Sequence, residues 1–163
     1  MTKNNHDATP PSDREFVMER LFNAPRELVW QAWTTPEHLA QWWGPKGWTL
    51  PVCQIDFRPG GVWHYCMRGP DGMESWGKAT YQEIVEPERI VYLDAFTDEA
   101  GNPVEGMPEI LVTVMFEEYN GQTKLTSRAQ FASAADLEAV LGMGMAEGIT
   151  ETWDRLEAYL ASV

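Results

Sequence analysis

Between Met145 and Leu160 apolar side chains return every three or four residues, at Met145, Ile149, Trp153, Leu156 and Leu160. That spacing puts them on one stripe of an α-helix. Glu147, Glu151, Asp154 and Glu157 fall on the other side. The pattern therefore predicts an amphipathic helix from about Gly144 to Leu160, which needs an apolar partner surface of about its own length. Most of the preceding chain reads as extended strand. The expected architecture is α+β: a curved antiparallel sheet gripping a long C-terminal helix, with a pocket between them.

The chain starts with a polar stretch, residues 1–13, that includes Pro10 and Pro11 and offers nothing to pack, so it is expected to be a disordered tail. A domain over residues 14–163 follows. Phe16, Met18 and Phe22 alternate with Glu15 and Glu19 as in a half-buried strand, although Arg20 sits on the apolar parity. Pro25 opens a short helix to about Trp33, with Val29 and Trp33 one turn apart. A second helix has Thr35 as its cap and Pro36 at its first position, and stops at Gly44-Pro45.

Turn residues then divide a series of extended runs. Arg58-Pro59-Gly60-Gly61, Pro70-Asp71-Gly72, Glu86-Pro87-Glu88 and Asn120-Gly121 mark hairpins. They predict six strands near residues 50–57, 62–68, 74–85, 89–97, 109–119 and 122–131. The link from Asp98 to Pro108 reads as a rim loop. Apolar matching at the first hairpin pairs Phe57 with Trp63 and Ile55 with Tyr65, which offsets Cys53 from Cys66 and leaves the thiols unbonded. Ser133 and Asp136 form a capping box for a short helix, which Gly142 and Gly144 separate from the last one.

At 163 residues one core is the simplest reading. The net charge of -13, from 25 acidic and 12 basic residues, disfavours nucleic acid and anionic lipid surfaces. No apolar run is long enough to span a bilayer, and the polar start lacks the core of a secretory signal, so membrane insertion is not expected and a cytoplasmic location is. Two cysteines outside any metal-spaced cluster should then stay reduced. Motifs for phosphate loops, dinucleotide binding, nucleophile elbows and metalloprotease helices are absent, and no metal, cofactor or catalytic residue is assigned.

The segments FNAPRELVWQAWTTPEHLAQWWGPKG, DFRPGG, RGPDG and GMAEGITETWDRLEAYLA resemble those of the bacterial single-domain proteins related to the activator of Hsp90 ATPase, within the START-like, polyketide-cyclase-like superfamily. The resemblance runs from about Arg14 to the C-terminus and implies a helix-grip (START-like, Bet v 1-like) fold of order β-α-α-β6-α with a cavity between sheet and long helix. Members of that superfamily typically bind apolar ligands, and some carry out cyclase or dehydratase chemistry in the cavity. The eukaryotic co-chaperone that names the family has an additional N-terminal domain where this sequence has the polar segment. The resemblance therefore argues against activation of an Hsp90-type chaperone, which is retained only as a secondary partner. The matching Pro25, Pro36, Trp43, Gly60 and Gly61 shape turns and packing.

The leading expectation is a binding protein for a small apolar or amphipathic ligand. Trp63, Tyr65 and Trp153 stand on the two walls of the expected cavity and are its aromatic candidates, whereas Trp30, Trp33, Trp42 and Trp43 read as core. Met145 and Ile149 on the helix, with Phe96 and Val114 on the strands, are candidate apolar contacts, although residues 110–116 are apolar at both parities and leave open which set faces inward. Apolar residues on both faces also admit a homodimer. Asp94 and Arg128 are charges within apolar strands: each either orients a ligand's polar group from inside or faces water. In an enzyme, Asp94, Arg128 or Tyr81 would be the working group. His64 reads as a surface or ordinarily hydrogen-bonded histidine, and the acidic positions of the last helix as a water-facing stripe in which Glu151 pairs with Arg155.

Overall fold

A computed structural model describes residues 12–163. Most of the expected tail, residues 1–11, lies outside the described residues. The elements are β1 (Glu15–Phe22), α1 (Arg26–Thr34), α2 (Pro36–Trp42), β2 (Thr49–Ile55), β3 (Val62–Arg68), β4 (Glu74–Val85), β5 (Arg89–Thr97), β6 (Ile110–Tyr119), β7 (Gln122–Gln130), α3 (Ala134–Leu141) and α4 (Met145–Ser162). The seven strands form one antiparallel sheet in the order β1-β7-β6-β5-β4-β3-β2. Six consecutive strands thus meander from β2 at one edge to β7, which pairs with β1 at the other edge, and α1 and α2 carry the chain from β1 across to β2.

Side-chain alternation gives the sheet one inner face. Ile90, Tyr92, Val112, Val114, Phe116 and Leu125 are buried on it, in line through the pairings Ile90↔Val114, Tyr92↔Val112 and Phe116↔Leu125. The ambiguity in β6 is resolved in favour of Val112, Val114 and Phe116. Met115 on the other parity is also buried, which explains why both parities read as apolar.

The helices cover this face with aromatic rings. Trp153 of α4 meets Phe22 of β1 edge to face at 5.8 Å, and Trp30 and Trp33 of α1 meet Phe116 at 5.1 and 6.2 Å. Trp43, following α2, packs on Trp63 at 4.8 Å. These edge-on contacts fill much of the concavity that the hydrophobic pattern left for a ligand.

Several local readings are corrected. Strand β2 ends at Ile55, because residues 56–61 fold into a tight connection in which Arg58 and Gly61 donate to the carbonyls of Asp56 and Arg58. The pairings are Ile55↔Trp63 and Cys53↔Tyr65, two residues from those expected, so the faces are unchanged. Cys66 lies opposite Val52, and both cysteines are free. Thr35 makes no side-chain cap, whereas Ser133 Oγ accepts from the Asp136 amide at 3.1 Å as expected.

Arg20 does point to the inner side, where its guanidinium reaches across to Asp154 at 2.9 Å and Glu157 at 3.3 Å on α4. Those two carboxylates are thus exposed and paired at once. Glu151 does not pair with Arg155; it accepts from the Lys46 amide at 3.1 Å. The Arg155 guanidinium instead donates to backbone carbonyls of the α2–β2 connection, including Gly44 at 2.9 Å, Trp48 at 3.1 Å and Pro45 at 3.2 Å. It fastens α4 to that loop through groups that hydropathy does not register.

Candidate functional site

The site begins with a glycine. Within β4, Gly77 lies between Tyr65 of β3 and Phe96 of β5 in one row of the sheet, and Ala79 lies between Trp63 and Asp94 in the next. A Cβ on Gly77 would stand 2.5 Å from the Tyr65 ring and hydroxyl, so only glycine lets the phenol lie this close over β4. The Tyr65 hydroxyl thereby crosses a strand and donates to Asp94, at 3.0 Å from Oδ1 and 3.3 Å from Oδ2.

Asp94 therefore faces inward, on the parity of its apolar neighbours Tyr92 and Phe96. Burial pushes its carboxyl up to about 7, against the opposing effect of hydrogen bonds from Tyr65 and from the Ala95 amide. The same burial, reinforced by the adjacent Asp94 charge, raises the Tyr65 hydroxyl well above the ordinary phenol value. Tyr92 is shifted the same way for the same reasons. Near neutrality the pair thus combines a phenol that stays protonated with a carboxyl whose affinity for its proton is raised by burial toward the neutral range.

Tyr65, Asp94 and Phe96 line an opening of about 50 Å³, with Met67, Ser75, Trp76, Gly77 and Ala95 completing its walls. A water occupies about 10–15 Å³ on this measure, so the opening takes a few waters or the end of a small molecule. It lies at the β3–β5 part of the sheet and no α4 residue lines it.

The other sequence candidates lie elsewhere. Trp63, Tyr81, Val114 and Trp153 are between 0% and 3% exposed and belong to the packed core. Met145 and Ile149 are partly buried against that core. Trp63 nonetheless backs the site, its ring 4.8 Å from that of Tyr65. Arg128 is on the outer face, where it contacts Glu15 at 2.7 Å. His64 corrects its expectation as well: it stacks on Trp76 at 5.3 Å, and its Nε2 is buried with no hydrogen-bond partner among the described residues.

Met67, Ser75, Trp76, Gly77 and Ala95 were not among the candidates. Gly77 carried a usable signal, since glycine inside a strand marks close approach of another group. Among the described residues, no group of three or more His, Cys, Asp or Glu side chains could hold a metal ion. No helix among the described residues is long and apolar enough to cross a membrane.

A seven-stranded antiparallel sheet accompanied by three short helices and one long terminal helix defines the helix-grip class of α+β proteins. Residues 23–161 match the family described as activator of Hsp90 ATPase homolog 1-like protein, and the chain belongs to that family. The crystal structure of protein Ms6760 from Mycobacterium smegmatis is 34% identical over 90% of each chain, with a TM-score of 0.83. A solution structure of an Arthrobacter aurescens protein is 31% identical over 93% of this chain and 88% of that one, with a TM-score of 0.86. A Silicibacter pomeroyi protein of the same family name is 21% identical over 90% of this chain and 97% of that one, with a TM-score of 0.72, and shares the fold. No curated protein matches the chain.

Proposed function

We propose that this chain, as a single domain over residues 14–163, binds the end of a small amphipathic molecule at the opening beside Tyr65 and Asp94. The observation that carries the reading is the inward Asp94 carboxyl, hydrogen-bonded to Tyr65 in a mostly apolar opening that Ser75 also lines. Met67 and Phe96 supply apolar contact, and the carboxyl and phenol supply the polar one. The aromatic filling behind the site leaves room for a head group there, with the remainder of the ligand outside. A cytoplasmic location belongs to this reading and agrees with two cysteines that remain free.

A second reading is acid–base catalysis at the same place. A carboxyl that exchanges its proton near neutrality, 3.0 Å from a phenol, is matched to proton transfer at physiological pH. Binding comes first in either case. Native mass spectrometry against a panel of amphipathic metabolites, followed by NMR mapping of any adduct, tests it. The reading expects shifts at Met67, Tyr65 and Phe96; adducts that leave these signals unmoved would contradict it.

A further inference from the structure

We infer that the Tyr65–Asp94 opening selects a small organic cation, a primary alkylammonium head group, over neutral or anionic ligands of the same shape. This rests on the binding site proposed above and names the chemistry it takes.

The first support is what surrounds Asp94. Tyr65 on β3 and Tyr92 on β5 are the titratable groups that interact with it. On the flanking strands β4 and β6 its partners are Ala79 and Ile110, and Gly77 lies in the next row. Among the described residues lining the opening there is no lysine, arginine or histidine. The carboxylate thus has no cationic partner in its own site. An ionised carboxylate offers about four acceptor positions, and the Tyr65 hydroxyl and Ala95 amide leave some of them open to a ligand.

The second support is the wall chemistry. Tyr65 and Phe96 present aromatic surface and Met67 a polarizable thioether. Trp43 and Trp63 stand behind Tyr65 at 6.2 and 4.8 Å. Aromatic faces stabilise a cation beside them and do little for an anion. The protein's net charge of -13 disfavours anions at longer range as well. An opening of about 50 Å³ suits an ammonium nitrogen with one or two carbons, and leaves a longer chain outside.

Binding a cation stabilises the ionised form of Asp94, so below neutrality the ligand must displace a proton from the carboxyl. Affinity should then rise about tenfold per pH unit as pH increases toward 7, and level off above it. An alcohol of the same length can donate to the carboxylate but carries no charge, so it gains far less.

The test titrates the intact protein with n-butylammonium chloride, n-butanol and sodium n-butyrate, following NMR signals of Tyr65, Asp94 and Phe96 between pH 5 and 8. The inference expects butylammonium to bind at least tenfold more tightly than either analogue, to lower the Asp94 midpoint, and to lose that advantage in Asp94→Asn. Should the variant fail to fold, the pH dependence in the wild-type protein decides. Tighter binding of butanol or butyrate at these same signals would overturn the cation preference while leaving the site intact. Silence of all three ligands at a folded protein would overturn the preference and the site together.

Discussion

Tyr65 reaches over the bare backbone of Gly77 to place its hydroxyl 3.0 Å from Asp94, two strands away. The relationship joins a local conformational need to a chemical property. With a Cβ at residue 77 the phenol could not cross, and without the phenol the carboxyl would lose a hydrogen bond that favours its ionised form.

Gly77→Ala tests that dependence. The new methyl would sit 2.5 Å from the Tyr65 ring, so the ring must move away from Asp94. Overpacking of this kind costs about 1–3 kcal/mol, which denaturant unfolding can read. The Asp94 midpoint should also rise, since the Tyr65 hydrogen bond holds it down. Unchanged stability with an unchanged midpoint would show that the ring does not lie over this glycine.

Asp94→Asn tests the cost of the buried charge. In the unfolded chain the carboxyl titrates near about 3.9, and in the fold it is raised to about 7, so the folded state binds the proton more tightly. The sign follows: the wild-type protein carries no penalty below about pH 4, an increasing one between about 4 and 7, and the full penalty above that. Asparagine keeps an acceptor for Tyr65 and removes the charge. The variant should therefore gain on the order of 2–4 kcal/mol relative to wild type at pH 8 and little at pH 4. Thermal unfolding at the two pH values measures it, and an equal or greater loss at pH 8 would be the contrary result.

Much of the fold could be read before any coordinates. Turn dipeptides such as Asp71-Gly72 and Asn120-Gly121 separate the strands, and the spacing of Ile149, Trp153, Leu156 and Leu160 marks α4. The site was legible only in part. Tyr65, Asp94 and Phe96 were candidates because they share strands with apolar neighbours, but parity alone did not settle whether a carboxylate would follow Tyr92 and Phe96 inward. Nor does a hydropathy pattern give volume. Trp43, Trp63 and Phe116 could line a cavity or fill one, and the edge-on packing of their rings decides for filling. Pairing choices over long sequence separation, such as Arg155 with the Gly44 and Trp48 carbonyls, leave no periodic trace.

Arg155 and Arg20 offer a direct contrast. Arg155→Lys keeps a charge but loses the planar fork that serves several carbonyls at once, and should cost about 1–3 kcal/mol. Amide exchange in residues 43–48 should quicken with it. Arg20→Ala removes ion pairs to carboxylates whose side chains are 64% and 62% exposed, and the loss of those pairs should cost no more than about 1 kcal/mol. Equal losses, or a larger one at Arg20, would mean that the loop clamp does not hold α4 as described.

The most direct measurement is a carbon-detected NMR titration of the Asp94 side-chain carboxyl in the wild-type protein and in Tyr65→Phe. The account predicts a midpoint near 7 in the wild type, moving upward when the phenol hydroxyl is removed. A midpoint near 4 that ignores the Tyr65 substitution would put the carboxyl in water and contradict the site.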